Sequence, residues 1–171
     1  MPVCLNDEQG MALDASHWQS LAEALHEACG LSPEDEWSLS WVSREAIQSL
    51  NRDYRGVDAP TDVLAFSLEE GEEAWPSPMP GRMLGDVVVA VEVAAEQAAR
   101  RGHGLDAELA LLMVHGLLHL LGEDHDTPTR KTRMWQRQAE LLTQIGFPEP
   151  ISVDDPPAQK PASRRRKAAG A

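Results

Sequence analysis

Residues 105–125 read LDAELALLMVHGLLHLLGEDH, and this stretch decides the fold. From Leu105 to Leu121 it is apolar on nearly every side, which describes a helix buried at the centre of a domain. Its uninterrupted apolar core, Leu109 to Leu121, is 13 residues long and carries two histidines. A membrane span needs about 20 residues, so no membrane role is expected. His115 and His119 are four apart and therefore stand on one face of that helix, one turn above the other. Gly122 follows three residues later, where a helix can stop and the chain can turn back. His125 can then swing beneath the same face.

A lone histidine on an apolar helix is usually a hydrogen-bonded core residue. Two on one face and a third beyond a helix-stopping glycine point instead to a ligand set. Three unpaired imidazoles in an apolar interior would be costly, and a divalent metal removes that cost by accepting a lone pair from each. Three histidines leave one position open, as in catalytic zinc sites. Zinc is the expected ion, although nickel, iron or copper also accept imidazoles. The spacing H-x3-H-x2-G-x2-H is also that of the metzincin proteases, which carry a glutamate directly after the first histidine. Here that position is Gly116, so a peptidase of that kind lacks its proton acceptor. Glu123 and Asp124 fall in the turn between ligands, either as partners orienting an imidazole or as polar turn residues.

Outward from this helix, structure alternates. Ser16 with Gln19 suggests a capping box for a helix over 17–29, with Trp18, Leu21, Leu25 and Ala28 on its apolar face and Gly30 as its stop. Residues 37–42, WSLSWV, alternate as a strand. Ser43 can cap a short helix through about Asn51. Residues 62–68 and 84–91 read as strands, separated by a Glu-, Gly- and Pro-rich loop over 69–82. Residues 92–101 are helical, and Thr127 or Thr129 can cap a last helix that runs to about Ile145. The three tryptophans Trp18, Trp37 and Trp41 could stack on bases, but their periodicity makes them core residues first. The result is one α+β domain over residues 1–149. A small mixed sheet of about four strands packs with helices around the central helix that carries two of the three histidines. Residues 150–171, rich in Pro, Ala, Lys and Arg, read as a disordered basic tail.

The chain has 171 residues and a net charge of −13. Residues 156–171 hold five Lys/Arg and no acid, leaving 10 basic and 28 acidic residues before them, a net of −18. Taken alone this disfavours a polyanionic partner. Charge is nonetheless clustered: Glu69, Glu70, Glu72 and Glu73 stand together, as do Arg130, Lys131, Arg133 and Arg137. The map of charge, not its sum, decides the partner. The run RRRK at 164–167 reads either as a phosphate contact or, more plainly, as a solvated extension. The first residues, MPVCLNDEQG, hold no basic segment followed by an apolar run, so no signal peptide is read. Cys4 and Cys29 have no metal-like spacing. They suit a reducing cytoplasm, the expected location, and leave a single disulfide open.

At this point the sequence resembles a known family. HGLLHLLGEDH matches the signature of the bacterial YbeY endoribonucleases, H-G-x-L-H-L-x-G-x-D-H, at every specified position. Asn51 to Phe66, NRDYRGVDAPTDVLAF, is similar to the family's N-x-x-Y-R-x3-x-P-T-D-V-L-S-F, and Gly85-Asp86-Val87 to its G-D-[IV] strand. The likeness covers roughly residues 37–146. Ala65 stands where the family has serine, and the acidic run 69–73 and the basic tail lie outside the family pattern.

The resemblance implies a metal-dependent endoribonuclease selective for single-stranded ribosomal RNA. It implies a role in maturation of the 3′ end of 16S ribosomal RNA and in ribosome quality control. The small ribosomal subunit and its assembly factors are the implied partners, and no DNA is expected. It places the metal ligands at His115, His119 and His125 and the functional arginine at Arg55. A guanidinium suits charge growing on phosphorane oxygens; without the family match, Arg55 reads as a surface arginine paired with Asp53 or Asp58. No general base is evident, so attack by water and attack by the RNA 2′-OH both stay open. Two other readings remain: a metal hydrolase of another bond, such as an amide, and a ribosome-assembly protein whose metal is structural. The second would need a fourth protein ligand.

Overall fold

The computed structural model describes residues 2–68 and 81–148. The acidic run 69–73 and the tail 150–171 lie outside the described residues. Four strands, β1 (Val3–Glu8), β2 (Glu36–Val42), β3 (Val63–Ser67) and β4 (Met83–Ala90), form one sheet in the order β1-β2-β4-β3. β1, β2 and β4 run parallel, and β3 pairs antiparallel to β4. Five helices complete the described residues: α1 (Ala15–Ala28), α2 (Arg44–Arg55), α3 (Val91–Arg101), α4 (Leu105–Leu120) and α5 (Pro128–Gln144). This is the expected α+β architecture with its mixed four-stranded sheet.

The alternation in the strands separates two layers. Trp37, Leu39, Trp41, Val63, Ala65, Val87 and Val89 point to one face, where they pack with α1, α4 and α5. Leu64, Phe66, Val88 and Ala90 point to the other, against Ile47 of α2 and Val93 of α3. Trp18 and Trp41 meet edge to face at 5.3 Å, and the Trp37 indole N–H donates to His26 Nδ1 at 3.2 Å. All three tryptophans are core, as their periodicity indicated. Cys4 and Cys29 are free thiols. No helix among the described residues is long and apolar enough to cross a membrane.

Three local expectations need correction. The cap of α1 is Asp14, whose carboxylate accepts from the His17 N–H at 3.1 Å; the Ser16–Gln19 box does not form. Gln19 instead donates to the Val3 carbonyl at 2.8 Å and ties α1 to β1. α2 runs one turn past Asn51, to Arg55, because the positive φ that ends it falls on Gly56 (φ 75°). β1 escaped the sequence reading altogether. Its residues Asn6, Asp7 and Glu8 are exposed polar groups on an edge strand, which erases the alternation that a strand normally shows. Ser43 and Thr127 cap α2 and α5 as expected.

The seat of α4 positions the site. A methyl group on Gly116 would fall 2.5 Å from Val87 Cγ1, so the helix backbone approaches β4 as closely as a bare glycine allows. At the other end of α4, buried Glu108 accepts from Arg101 at 3.1 Å and pairs with His103 at 2.6 Å, clasping the α3–α4 junction. Gly116→Ala is expected to destabilise the protein by about 1–3 kcal/mol through overpacking against a β-branched neighbour. Chemical denaturation of Gly116→Ala, Val87→Ala and the double variant checks this. Additive losses, with no relief in the double variant, would refute the contact as the cause.

Candidate metal centre

The third histidine reaches the first two because of how α4 ends. Gly122 takes φ 94°, its N–H donates to the His119 carbonyl at 3.1 Å, and the Glu123 N–H donates to the Leu118 carbonyl at 3.0 Å. This glycine-terminated turn reverses the chain within three residues. Asp124 then accepts the His125 backbone N–H at 2.8 Å and fixes where that residue stands. One potential ligand atom from each of His115, His119 and His125 lies within 4.8 Å of the other two. His115 Nε2 and His119 Nε2 are 3.1 Å apart. Nitrogens at about 2.0–2.1 Å from a tetrahedral ion sit roughly 3.3 Å from one another, so this pair is already at ligand spacing.

The donor set suits a metal in its protonation as well. Gln138 of α5, itself buried, places Oε1 2.6 Å from His115 Nδ1. An amide oxygen only accepts, so Nδ1 carries the proton and Nε2 presents its lone pair towards His119. Burial, reinforced by the neighbouring His119 and His125, pushes the His115 imidazole down to about 3. It therefore stays neutral, the form that ligates. His125 Nε2 is buried and has no hydrogen-bond partner. A buried imidazole nitrogen without a partner, beside two other imidazoles, fits a divalent ion. Among the described residues the cluster has three members, so an open position remains.

The remaining sequence candidates fall into place around it. Glu123 pairs with Arg137 at 3.2 Å and so faces α5. Gly116, where a metzincin would carry its glutamate, faces the sheet, so that position is unavailable to a carboxylate. Arg55 is the last residue of α2 and is half-buried. Neither acid proposed as its ordinary partner is idle: Asp53 pairs with Arg52 at 3.2 Å, and Asp58 accepts from Gln48 at 3.0 Å. The preceding Tyr54 packs edge to face on Phe66 of β3 at 5.1 Å. Phe66 borders Gly85, which in turn borders Leu120 at the end of α4. These contacts bring the C-terminal end of α2 and that of α4 to the Phe66–Gly85 stretch of the sheet.

Two residues that the sequence reading passed over belong to the site, Gln138 and Trp135. Trp135 rests edge-on to His115 and His125, with ring centroids at 5.9 and 5.5 Å. The signal available in the sequence was a glutamine on the buried stripe Met134, Gln138, Leu141, Leu142 of an amphipathic helix.

Two outcomes follow. Replacing Gln138 by Leu removes the group that orients His115 and should weaken metal binding roughly 10–100-fold. Competition with a chromophoric chelator measures this, and unchanged affinity would count against the assigned tautomer. The depressed His115 value also sets a pH dependence. Below about pH 6.5 the unfolded chain takes up a proton that folded His115 refuses, so its contribution to stability is full above that pH and fades as pH falls towards 3. The metal-free protein should lose more thermal stability between about pH 7.5 and pH 5 than a His115→Gln variant does. Parallel losses in both would refute the assignment.

Comparison with known proteins gives this geometry a family. The sequence profile described as Endoribonuclease YbeY matches residues 4–146. A protein named Endoribonuclease YbeY from Moorella thermoacetica is 49% identical over 128 residues, covering 73% of this chain and 82% of the relative. Another of that name, from Pelotomaculum thermopropionicum, is 42% identical over 155 residues, covering 86% of this chain and 99% of its own. A solution structure of a Thermotoga maritima protein superposes with a TM-score of 0.59 at 25% identity, over 92% of this chain and 99% of that one. With nearly all of its described residues inside the matched span, the chain belongs to the endoribonuclease YbeY family.

Proposed function

We propose that this chain is a metal-dependent endoribonuclease that cleaves single-stranded RNA, with small-subunit ribosomal RNA as its substrate during 3′-end maturation and ribosome quality control. The observation that carries the reading is the three-imidazole cluster with its open position, found in a chain of this family. His115, His119 and His125 would hold the ion, and an all-imidazole set suits zinc. A divalent ion there supplies Lewis acidity to a phosphoryl oxygen and lowers the pKa of a bound water.

The protein's own residues supply the rest. Burial keeps His115 neutral, and Gln138 keeps it aimed. Arg55, the last residue of α2, would pair its planar fork with the non-bridging oxygens as the phosphorane gains charge. The turn formed by Gly122 keeps His125 in register with the helix-borne pair. The amide-hydrolase alternative lacks a carboxylate at position 116, and the structural-metal alternative lacks a fourth ligand among the described residues.

The test is cleavage of single-stranded ribosomal RNA by metal-stripped and repleted protein beside His119→Ala and Arg55 variants. Activity should require repletion and vanish in His119→Ala. Arg55→Ala should lower kcat roughly 100–1000-fold, and Arg55→Lys should not restore it. Equal cleavage by the wild type and His119→Ala would sink the reading. A 2′,3′-cyclic phosphate on the product would assign the attack to the ribose hydroxyl; a 5′ phosphate with a free 3′-OH would assign it to water.

A further inference from the structure

One stripe of α5 climbs out of the histidine cluster. Lys131, Trp135 and Gln138 are spaced i, i+4, i+7 and share a helix face. Gln138 is buried and bonded to His115. Trp135, half-buried, leans on His115 and His125. Lys131 is exposed and holds its Nζ 5.7 Å from the centre of the Trp135 ring. The stripe passes from the floor of the site to its rim and changes on the way from neutral acceptor, to aromatic wall, to cation.

Two other bases of this helix are tied up in ion pairs, while Arg133 stands within electrostatic reach of Glu123. Arg130 binds both oxygens of Asp126 at 3.0 Å, and Arg137 pairs with Glu123 at 3.2 Å. Lys131 makes no ion pair among the described residues, and the indole face, rather than a carboxylate, fixes where its ammonium stands. A ring exerts no net charge, so the ammonium remains available to an anion. That matters in a chain of net charge −13, where a polyanion must be drawn in locally.

We propose that Lys131 is a substrate-positioning residue whose ammonium takes a backbone phosphate of single-stranded RNA beside the scissile bond, and that Trp135 holds it there. The inference rests on the RNA reading above. A lysine acts as a point charge without the fixed fork of arginine, which suits a strand whose phosphates are not held in one geometry. It reads no base, so it anchors the RNA backbone whatever the sequence.

The experiment measures binding of a labelled single-stranded 2′-O-methyl RNA oligonucleotide to the full chain across a salt series, with kcat and KM taken on the all-ribose version. One phosphate contact contributes about 0.7 to the log–log salt slope of single-strand binding, which is about five-fold in affinity at 0.1 M salt. Lys131→Gln should therefore raise Kd and KM about five-fold, flatten the slope by about 0.7 and leave kcat unchanged. Lys131→Arg, which keeps the charge, should restore both. A Lys131→Gln slope equal to that of the wild type overturns the proposal even if cleavage is seen. Wild-type binding without cleavage, together with a flattened Lys131→Gln slope, supports the contact while rejecting the nuclease reading. Absence of salt-dependent binding by the wild type overturns the contact outright.

Discussion

Everything in the site depends on how closely α4 lies on the sheet. Gly116 lets the helix backbone settle against Val87, and that contact fixes the rotation of α4 about its own axis. The residues just before and three after it, His115 and His119, then turn away from the strands towards α5. Van der Waals contact with a stiff β-branched side chain is a short-range constraint, so it sets this rotation sharply. A helix standing further off the sheet would let the imidazoles swing, and Gln138 would lose the one orientation in which its carbonyl meets His115.

The same seat explains why the site is dry on one side and open on the other. His115 is wholly buried and held neutral, whereas His119 and His125 are half-buried and complete the cluster from its outer side. Polarity is graded along the helix pair. The floor is a hydrogen-bonded amide, the wall an indole and the rim a cation. Catalytic metal sites need this kind of asymmetry, because ligands must be fixed while one position stays reachable.

Much of this was legible in the residues. The i, i+4 histidines, the glycine after them and the apolar run carrying them specified a buried helix, a turn and a ligand set. Ser43, Thr127 and Gly30 marked helix ends through local chemistry that does not depend on tertiary context. What escaped was set by contacts distant in sequence. β1 is a strand because its backbone pairs with β2, although its exposed Asn6, Asp7 and Glu8 lack strand periodicity. Gln138 belongs to the site only because α5 docks 23 residues downstream of His115, a distance no local pattern spans. Asp14 and Ser16 are both good caps; Asp14 takes the role, and Gln19 bonds to β1 instead of closing a box with Ser16.

The turn at Gly122 has a consequence for the chain's entropy. His119 and His125 are separated by a loop that the glycine turn and the Asp124 bond close through the protein's own hydrogen bonds. Loop closure is the usual entropic cost of gathering ligands from a flexible chain. Here it is met during folding, by backbone hydrogen bonds. The free energy of metal binding is then not consumed in ordering the protein, in contrast to small zinc domains that are unfolded without their ion. An ion held there would meet ligands that the backbone itself has gathered.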